Sequence, residues 1–179
     1  MIIGLTGKAG TGKDTAADYL VNRHGFAKLS FATALKRGLN AMFGFSMKQW
    51  DDREWKETVL PELGKSPRQL AQTLGTEWGR QLVKQDLWPS LAMAEAVGMT
   101  NAVLTDVRFD NEAHAVNNEH GYVIRIERNV QAVAEHSSET GISAHLVADT
   151  IINNGSVHDM YDQLDIILFK FQGGFTHGL

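Results

Sequence analysis

Residues Gly7 to Thr15 read Gly-Lys-Ala-Gly-Thr-Gly-Lys-Asp-Thr, and they stand between an apolar run at 1–6 and a segment of helical apolar spacing. A strand, a glycine-rich turn and a helix in that order bring backbone N–H groups together at a helix N-terminus, where the helix dipole and a lysine favour phosphate oxygens. Gly7, Lys8, Ala9, Gly10, Thr11, Gly12, Lys13, Asp14 and Thr15 are therefore candidate ATP-binding residues, with Lys13 the charge nearest a transferred group. The residue after the lysine is ordinarily Ser or Thr, a Mg²⁺ ligand. Here a carboxylate, Asp14, takes that place and the hydroxyl follows at Thr15, so both are candidate metal contacts. A ligand-free glycine turn is the alternative. Ala16, Ala17, Leu20 and Val21 then share one helix face, and Gly25 ends the run.

Further apolar runs at 26–31, 101–107, 122–127 and 150–153 alternate with helical segments. That alternation predicts an α/β fold with a parallel sheet, helices on both faces and ligands at the carboxyl ends of the strands. The 179 residues suffice for a single domain with a helical insertion at 32–97. Within it Ser66-Pro67-Arg68-Gln69 forms a capping box, followed by Leu70, Leu74, Trp78 and Leu82 as a buried stripe. Arg68, Gln72 and Gly75 fall on another face. Gly75 and Gly79 are costly inside a helix unless something approaches the backbone closely, either a nucleotide or a packed neighbour. Ser156 caps a last helix whose stripe is Val157, Met160, Tyr161, Leu164, Ile167, Leu168 and Phe171.

Composition narrows the function. The formal charge of −4 disfavours a polyanion partner, and the absence of cysteine removes thiol catalysis and Cys-type zinc sites. None of the seven histidines shows the helical spacing of a metal pair. The N-terminal run is too short for a signal peptide, and no run approaches the roughly 20 residues of a membrane span, so a cytoplasmic protein is expected.

Chemistry gathers at three further places. Thr105-Asp106-Val107-Arg108 ends the third strand, where Asp106 can hold Mg²⁺ through water or accept a substrate hydrogen bond and Arg108 can fork onto phosphate oxygens. Glu112 stands four residues on, placed to orient the guanidinium, with a surface ion pair as the alternative. After the fourth strand come Arg125 and Arg128, then a polar segment at 129–144 containing His136-Ser137-Ser138-Glu139. It reads as a closing lid with Arg128 as its cation, or else as a structural loop. Asn153-Asn154-Gly155 forms a turn that either packs against adenine or merely starts the last helix.

With these pieces in order, the chain resembles the deoxynucleoside monophosphate kinases of tailed bacteriophages, the T-even type. The motifs that carry the resemblance run nearly end to end. They are Gly12-Lys13-Asp14-Thr15, Ala32-Thr33-Ala34-Leu35-Lys36, Asp52-Arg53-Glu54, Ser66-Pro67-Arg68 to Gln72, Leu74-Gly75-Thr76-Glu77, Asp106-Val107-Arg108, His136-Ser137-Ser138-Glu139 and Asn153-Asn154-Gly155-Ser156. In that family Asp-Thr follows the lysine, so Asp14 becomes a family mark.

The resemblance implies a P-loop nucleoside-monophosphate-kinase fold, a three-layer sandwich whose five parallel strands run in order 2-3-1-4-5. It implies ATP with Mg²⁺ on the loop, a deoxynucleotide in the helical insertion, and a lid at 129–144. Lys36, Arg53, Arg68 and Trp88 are carried over as monophosphate or base contacts, and Arg128 as a lid arginine. The candidate substrate set also takes in Gln72, Gly75, Thr76, Asp106, Arg108, Glu112, His136 and Glu139. The candidate catalytic set is Lys13, Asp106, Arg108 and Arg128. The chain is shorter than the T-even enzyme chiefly at 57–65, so base selectivity is not carried over.

Expected partners are ATP and a deoxynucleoside monophosphate, with no nucleic acid or membrane. A homodimer is the assembly allowed for, in a host cytoplasm if the source is a phage. A kinase of another phosphorylated metabolite, such as dephospho-coenzyme A, and a non-catalytic nucleotide switch are the competing readings. The similarity to dephospho-coenzyme A kinases is limited to the phosphate loop and the Asn-Asn-Gly turn.

Overall fold

A computed structural model describes residues 1–128 and 141–173. The chain divides into two compact units, Met1–Leu29 with Ala96–Leu179, and Ser30–Glu95.

The first unit is built on five parallel strands, β1 (Ile2–Thr6), β2 (Ala27–Leu29), β3 (Ala102–Leu104), β4 (Tyr122–Glu127) and β5 (Asp149–Ile152), in the order β2-β3-β1-β4-β5. Every residue of the central strand β1 is buried, as a strand covered on both faces requires. Alternation along β1 sorts the two faces. Ile3 and Leu5 join Ala16, Ala17 and Leu20 of helix α1 (Lys13–His24) and Met160, Leu164, Ile167 and Leu168 of the C-terminal helix (Val157–Phe171) in one apolar cluster. On the opposite face a β-carbon at Gly4 would come within 2.8 Å of Val107 and 3.3 Å of Val116, so only glycine lets the helix at Asp110–Asn118 pack there. Helices thus cover both faces, the α/β class is the one the alternation predicts, and the sheet order is the one the resemblance implies.

The C-terminal helix starts where its capping signal places it. The Ser156 hydroxyl accepts from the amide of Asp159 at 3.2 Å, and the Asp159 carboxylate accepts from the Ser156 amide at 2.7 Å. The Ser156 amide, and then the Ser156 hydroxyl donating to the same carboxylate at 2.9 Å, hold the Asp159 carboxyl below the ordinary aspartate range. Of its expected stripe, Val157, the first residue of the helix, is 43% exposed.

The second unit is helical. In chain order its helices are α2 (Thr33–Phe43), α3 (Arg53–Glu57), α4 (Pro67–Gln72) and α5 (Leu87–Val97), with a short 3-10 turn at Met47–Asp51. The helices of the first unit after these are α6 (Asp110–Asn118) and α7 (Val157–Phe171). Leu35, Leu39, Trp50 and Trp88 form the second unit's buried cluster. The capping box at Ser66 is present, with Gln69 amide donating to the Ser66 hydroxyl at 3.3 Å and Ser66 amide donating to the Gln69 side chain at 2.9 Å.

Leu70 and Leu74 of the expected stripe pack partly buried against that cluster, and beyond Leu74 the stripe fails. Residues Thr73–Val83 form a π-helix, closed by the Lys84 amide donating to the Gly79 carbonyl five residues back at 2.9 Å. The face turned inward is that of Gly75 and Gly79, while Trp78 is 47% and Leu82 78% exposed. The glycines explain this. A β-carbon at Gly75 would lie 2.8 Å from Leu35, and one at Gly79 2.6 to 2.8 Å from the Trp88 indole, so the backbone itself makes the close contact. The neighbour that approaches these glycines is therefore a packed side chain.

Gly79→Ala should lower the melting temperature. A methyl pressed into a rigid, buried indole costs about 1–3 kcal/mol, more than the roughly 1 kcal/mol that alanine gains over glycine in a helix. Thermal denaturation followed by circular dichroism checks this, and a raised melting temperature would contradict the packing.

Candidate active site

At the carboxyl end of β1 the chain turns through Gly7, Gly10 and Gly12, all with positive φ (141°, 76° and 105°). A side chain at Gly7 would collide with the Ile126 carbonyl of β4. Nothing lies within 4 Å of the β-carbon position at Gly10, which faces open space. Thus Gly7 is needed for the passage under β4, Gly10 for its backbone conformation alone.

Gly12 then opens α1 with no side-chain cap. The first amides of a helix have no intrahelical acceptor, and with the helix dipole behind them they suit an anion. Inside the loop, Lys13 Nζ donates to the carbonyls of Gly7 and Lys8, both at 2.7 Å, and the Thr11 hydroxyl donates to Lys8 O at 2.9 Å. The loop is a closed set of contacts holding a cation at its mouth. The Asp14 side chain is 89% exposed, 4.0 Å from Lys28 Nζ, and Thr15 is exposed beside it. A carboxylate and a hydroxyl at the edge of a phosphate site are the hard oxygen donors that Mg²⁺ takes together with phosphate oxygens.

Asp106 and Arg108 lie just past β3. The flanking amides keep this stretch against the sheet, with Thr105 N–H donating to Leu29 O and Val107 N–H to Leu5 O, both at 3.1 Å. Asp106 is thereby fixed at the same sheet edge, alongside the last residues of β1 before the phosphate loop. Glu112 is 3% exposed, and its carboxylate accepts from the backbone amides of Arg108 at 2.8 Å and Phe109 at 3.3 Å. It therefore orients the Arg108 backbone from the first turn of α6. The surface ion-pair alternative does not describe a carboxylate so buried.

The turn has a second anchor that sequence reasoning missed. Asp110 accepts from the Ser143 amide at 2.8 Å and the Ser143 hydroxyl at 2.6 Å, and these bonds hold its carboxyl below the ordinary aspartate range. Arg125, on β4, donates to the Ile142 carbonyl at 2.6 Å. So residues 142 and 143 of the expected lid are tied to β4 and α6. Its residues 129–140, with His136 and Glu139, lie outside the described residues. Arg128 is exposed just past β4.

On the turn after β5, Asn153 is buried and its side-chain amide donates to the Thr11 carbonyl at 2.8 Å. Asn154 and Gly155 are exposed.

The remaining candidates belong to the second unit. Arg53 is exposed at the first turn of α3, and Arg68, in the first turn of α4, pairs with Glu57 at 2.6 Å with both side chains about half exposed (52% and 51%). Lys36 Nζ lies 5.9 Å from the Trp50 ring centroid. Gln72 and Thr76 are exposed. Trp88 is 6% exposed, its indole N–H donating to the Gly75 carbonyl at 2.8 Å, so both residues pack the helices together.

A parallel five-stranded sheet with a lysine-bearing glycine loop between its central strand and first helix defines a P-loop nucleotide-binding protein. Two crystal structures share the fold: one from Thermus thermophilus at TM-score 0.56 and 17% identity, covering 95% of this chain and 97% of that one, and a provisionally described kinase from Chloroflexus aurantiacus at 0.51 and 15%, covering 97% of each. The family model for deoxynucleotide monophosphate kinase matches residues 55–164. A relative from Acanthamoeba polyphaga mimivirus, provisionally named a deoxynucleotide monophosphate kinase, is 33% identical over 92% of this chain and 94% of its own. The deoxynucleoside-5′-monophosphate kinase of Escherichia phage T5 is 25% identical over 96% and 95%. The chain belongs to the deoxynucleotide monophosphate kinase family, and it is an enzyme. The switch and dephospho-coenzyme A readings are not favoured. Among the described residues no helix is long and apolar enough to cross a membrane.

Glu112→Ala should cost about 1–3 kcal/mol in urea denaturation, the penalty for amides left without their acceptor, whereas Glu112→Gln keeps an acceptor oxygen and should cost less. Equal losses from the two variants would show that the negative charge, not the hydrogen bond to the Arg108 turn, carries the stability.

Proposed function

We propose that this enzyme transfers the γ-phosphoryl group of ATP to a deoxynucleoside 5′-monophosphate, giving ADP and the deoxynucleoside diphosphate. The observation that carries the reading is the uncapped helix start at Gly12, with Lys13 in the loop and Asp106 and Arg108 at the same sheet edge. Phosphoryl transfer asks little covalent chemistry of a protein. It needs donor and acceptor held in line and the charge of the transferred group stabilised.

In this reading the loop amides and Lys13 hold the β- and γ-phosphates, and Arg108 with Arg128 offset charge on the transferring group. An oxygen of the acceptor phosphate attacks the γ-phosphorus, and the bond to the β–γ bridging oxygen breaks toward ADP. Asp14 and Thr15, with Asp106 through water, would hold Mg²⁺, which when bound neutralises phosphate oxygens. Asn154 and Gly155 are left for the adenine side. The helical second unit supplies the acceptor site through Lys36, Arg53 and Arg68, with Gln72 and Thr76 on adjoining helix positions. His136 and Glu139 are proposed as further substrate contacts.

Magnitudes favour Arg68 as a phosphate ligand despite Glu57. An exposed ion pair contributes about 0–1 kcal/mol, while a charge-assisted hydrogen bond to a phosphate contributes about 1.5–3 kcal/mol. A dianion can therefore displace the carboxylate. Free nucleotides in a cytoplasm are the expected substrates, and a homodimer is the assembly to test by sedimentation.

The direct test is an ADP-release assay with each of the four common deoxynucleoside monophosphates, their ribonucleotide counterparts and dephospho-coenzyme A. At least one deoxynucleotide should stimulate release far above the rest. Stimulation only by dephospho-coenzyme A would overturn the reading.

Arg53→Ala and Arg68→Ala should each raise the Michaelis constant for the monophosphate about tenfold, the worth of one charged hydrogen bond, and leave that for ATP nearly unchanged. Steady-state kinetics with each substrate varied in turn decides it. A rise confined to ATP would mean that donor and acceptor sites have been exchanged.

A further inference from the structure

Asn153 sits on a turn whose sequence suits an adenine contact, yet its side chain faces the phosphate loop. It is 8% exposed, its Nδ2 donates to the Thr11 carbonyl at 2.8 Å, and its own amide donates to the Glu127 carbonyl at 2.7 Å. A β-carbon placed on Gly12 would lie 2.6 Å from the same Nδ2, so the amide rests directly on the loop's last glycine. From Thr11 the contacts continue inward. The Thr11 hydroxyl and amide donate to Lys8 O at 2.9 and 3.4 Å, and Lys13 Nζ donates to that same carbonyl at 2.7 Å.

We infer that Asn153 is a positioning residue for the phosphate loop. It braces Thr11 and Gly12 against the end of β4, and through Lys8 it fixes where Lys13 presents its charge. The inference rests on the proposed ATP site and reassigns one of that site's candidates. The residue type follows from the geometry. The contact at Thr11 needs an N–H donor on a short side chain. Aspartate, its isostere, would set a carboxylate oxygen against the Thr11 carbonyl, and alanine would leave that carbonyl without its buried partner.

Inorganic tripolyphosphate separates this role from an adenine contact, since it carries phosphates and no base. Its competition with ATP is measured in the parent enzyme and in Asn153→Asp and Asn153→Ala, together with turnover, the Michaelis constant for the monophosphate and the melting temperature. Competition in the parent is the check on the donor site itself, and its absence would overturn that reading and this inference together.

Given competition, a brace predicts that each variant weakens ATP and tripolyphosphate by the same factor, about tenfold or more. It also predicts lower turnover and an unchanged monophosphate constant. A loss confined to ATP, with tripolyphosphate unaffected, would return Asn153 to the adenine side and overturn the brace alone. A uniform loss of both substrates in step with a lowered melting temperature in both variants would reduce it to a general packing residue, which also overturns the proposal.

Discussion

The passage of Gly7 beneath the Ile126 carbonyl is the constraint from which the site follows. β1 is buried along its whole length, so the chain cannot leave the sheet gradually and must turn at its end with β4 already in place. Only a residue without a β-carbon fits, and only glycine holds φ near 141° at little cost. The turn delivers the chain to Gly12, where α1 begins without a side-chain cap. A sheet packed on both faces thereby ends at its edge in a helix start whose first amides suit an anion.

The surroundings of that loop are fixed by backbone contacts more than by pairs of side chains. Glu112 holds the amides of Arg108 and Phe109, Asn153 holds the carbonyl of Thr11, and Arg125 holds the carbonyl of Ile142. The ties made by Glu112 and Asn153 set the paths of segments whose charged or hydroxyl groups stay exposed. Arg108, Asp14 and Thr15 are exposed, whereas Glu112 and Asn153 are buried. Rigidity below and solvent access above are what in-line phosphoryl transfer demands of a protein.

Much of this was legible in the sequence for reasons that are local. Apolar runs marked the five strands, the glycine loop marked the site, and the serines at 66 and 156 marked helix starts, because each signal lies within a few residues of its effect. The failures have a shared cause. α-Helical spacing puts Trp78 and Leu82 on a buried stripe, but the helix there closes its hydrogen bonds five residues back, and tight glycine packing against Leu35 and Trp88 decides the inward face. Trp88, which the resemblance implies as a monophosphate or base contact, is buried with its indole N–H donating to the Gly75 carbonyl. The partners of Asn153 and Asp110 are not legible in the sequence, since both lie far away in the chain and both bonds engage backbone atoms.

The loop between β1 and α1 is proposed to hold ATP while its γ-phosphoryl group passes to a deoxynucleotide. Incubation with ATP labelled at the γ-phosphate and an equimolar deoxynucleoside monophosphate, followed by chromatography of the products, tests it most directly. The label should move to the β-phosphate of the deoxynucleoside diphosphate as unlabelled ADP forms. Label released as inorganic phosphate, or retained on ATP with every deoxynucleotide, would contradict the account.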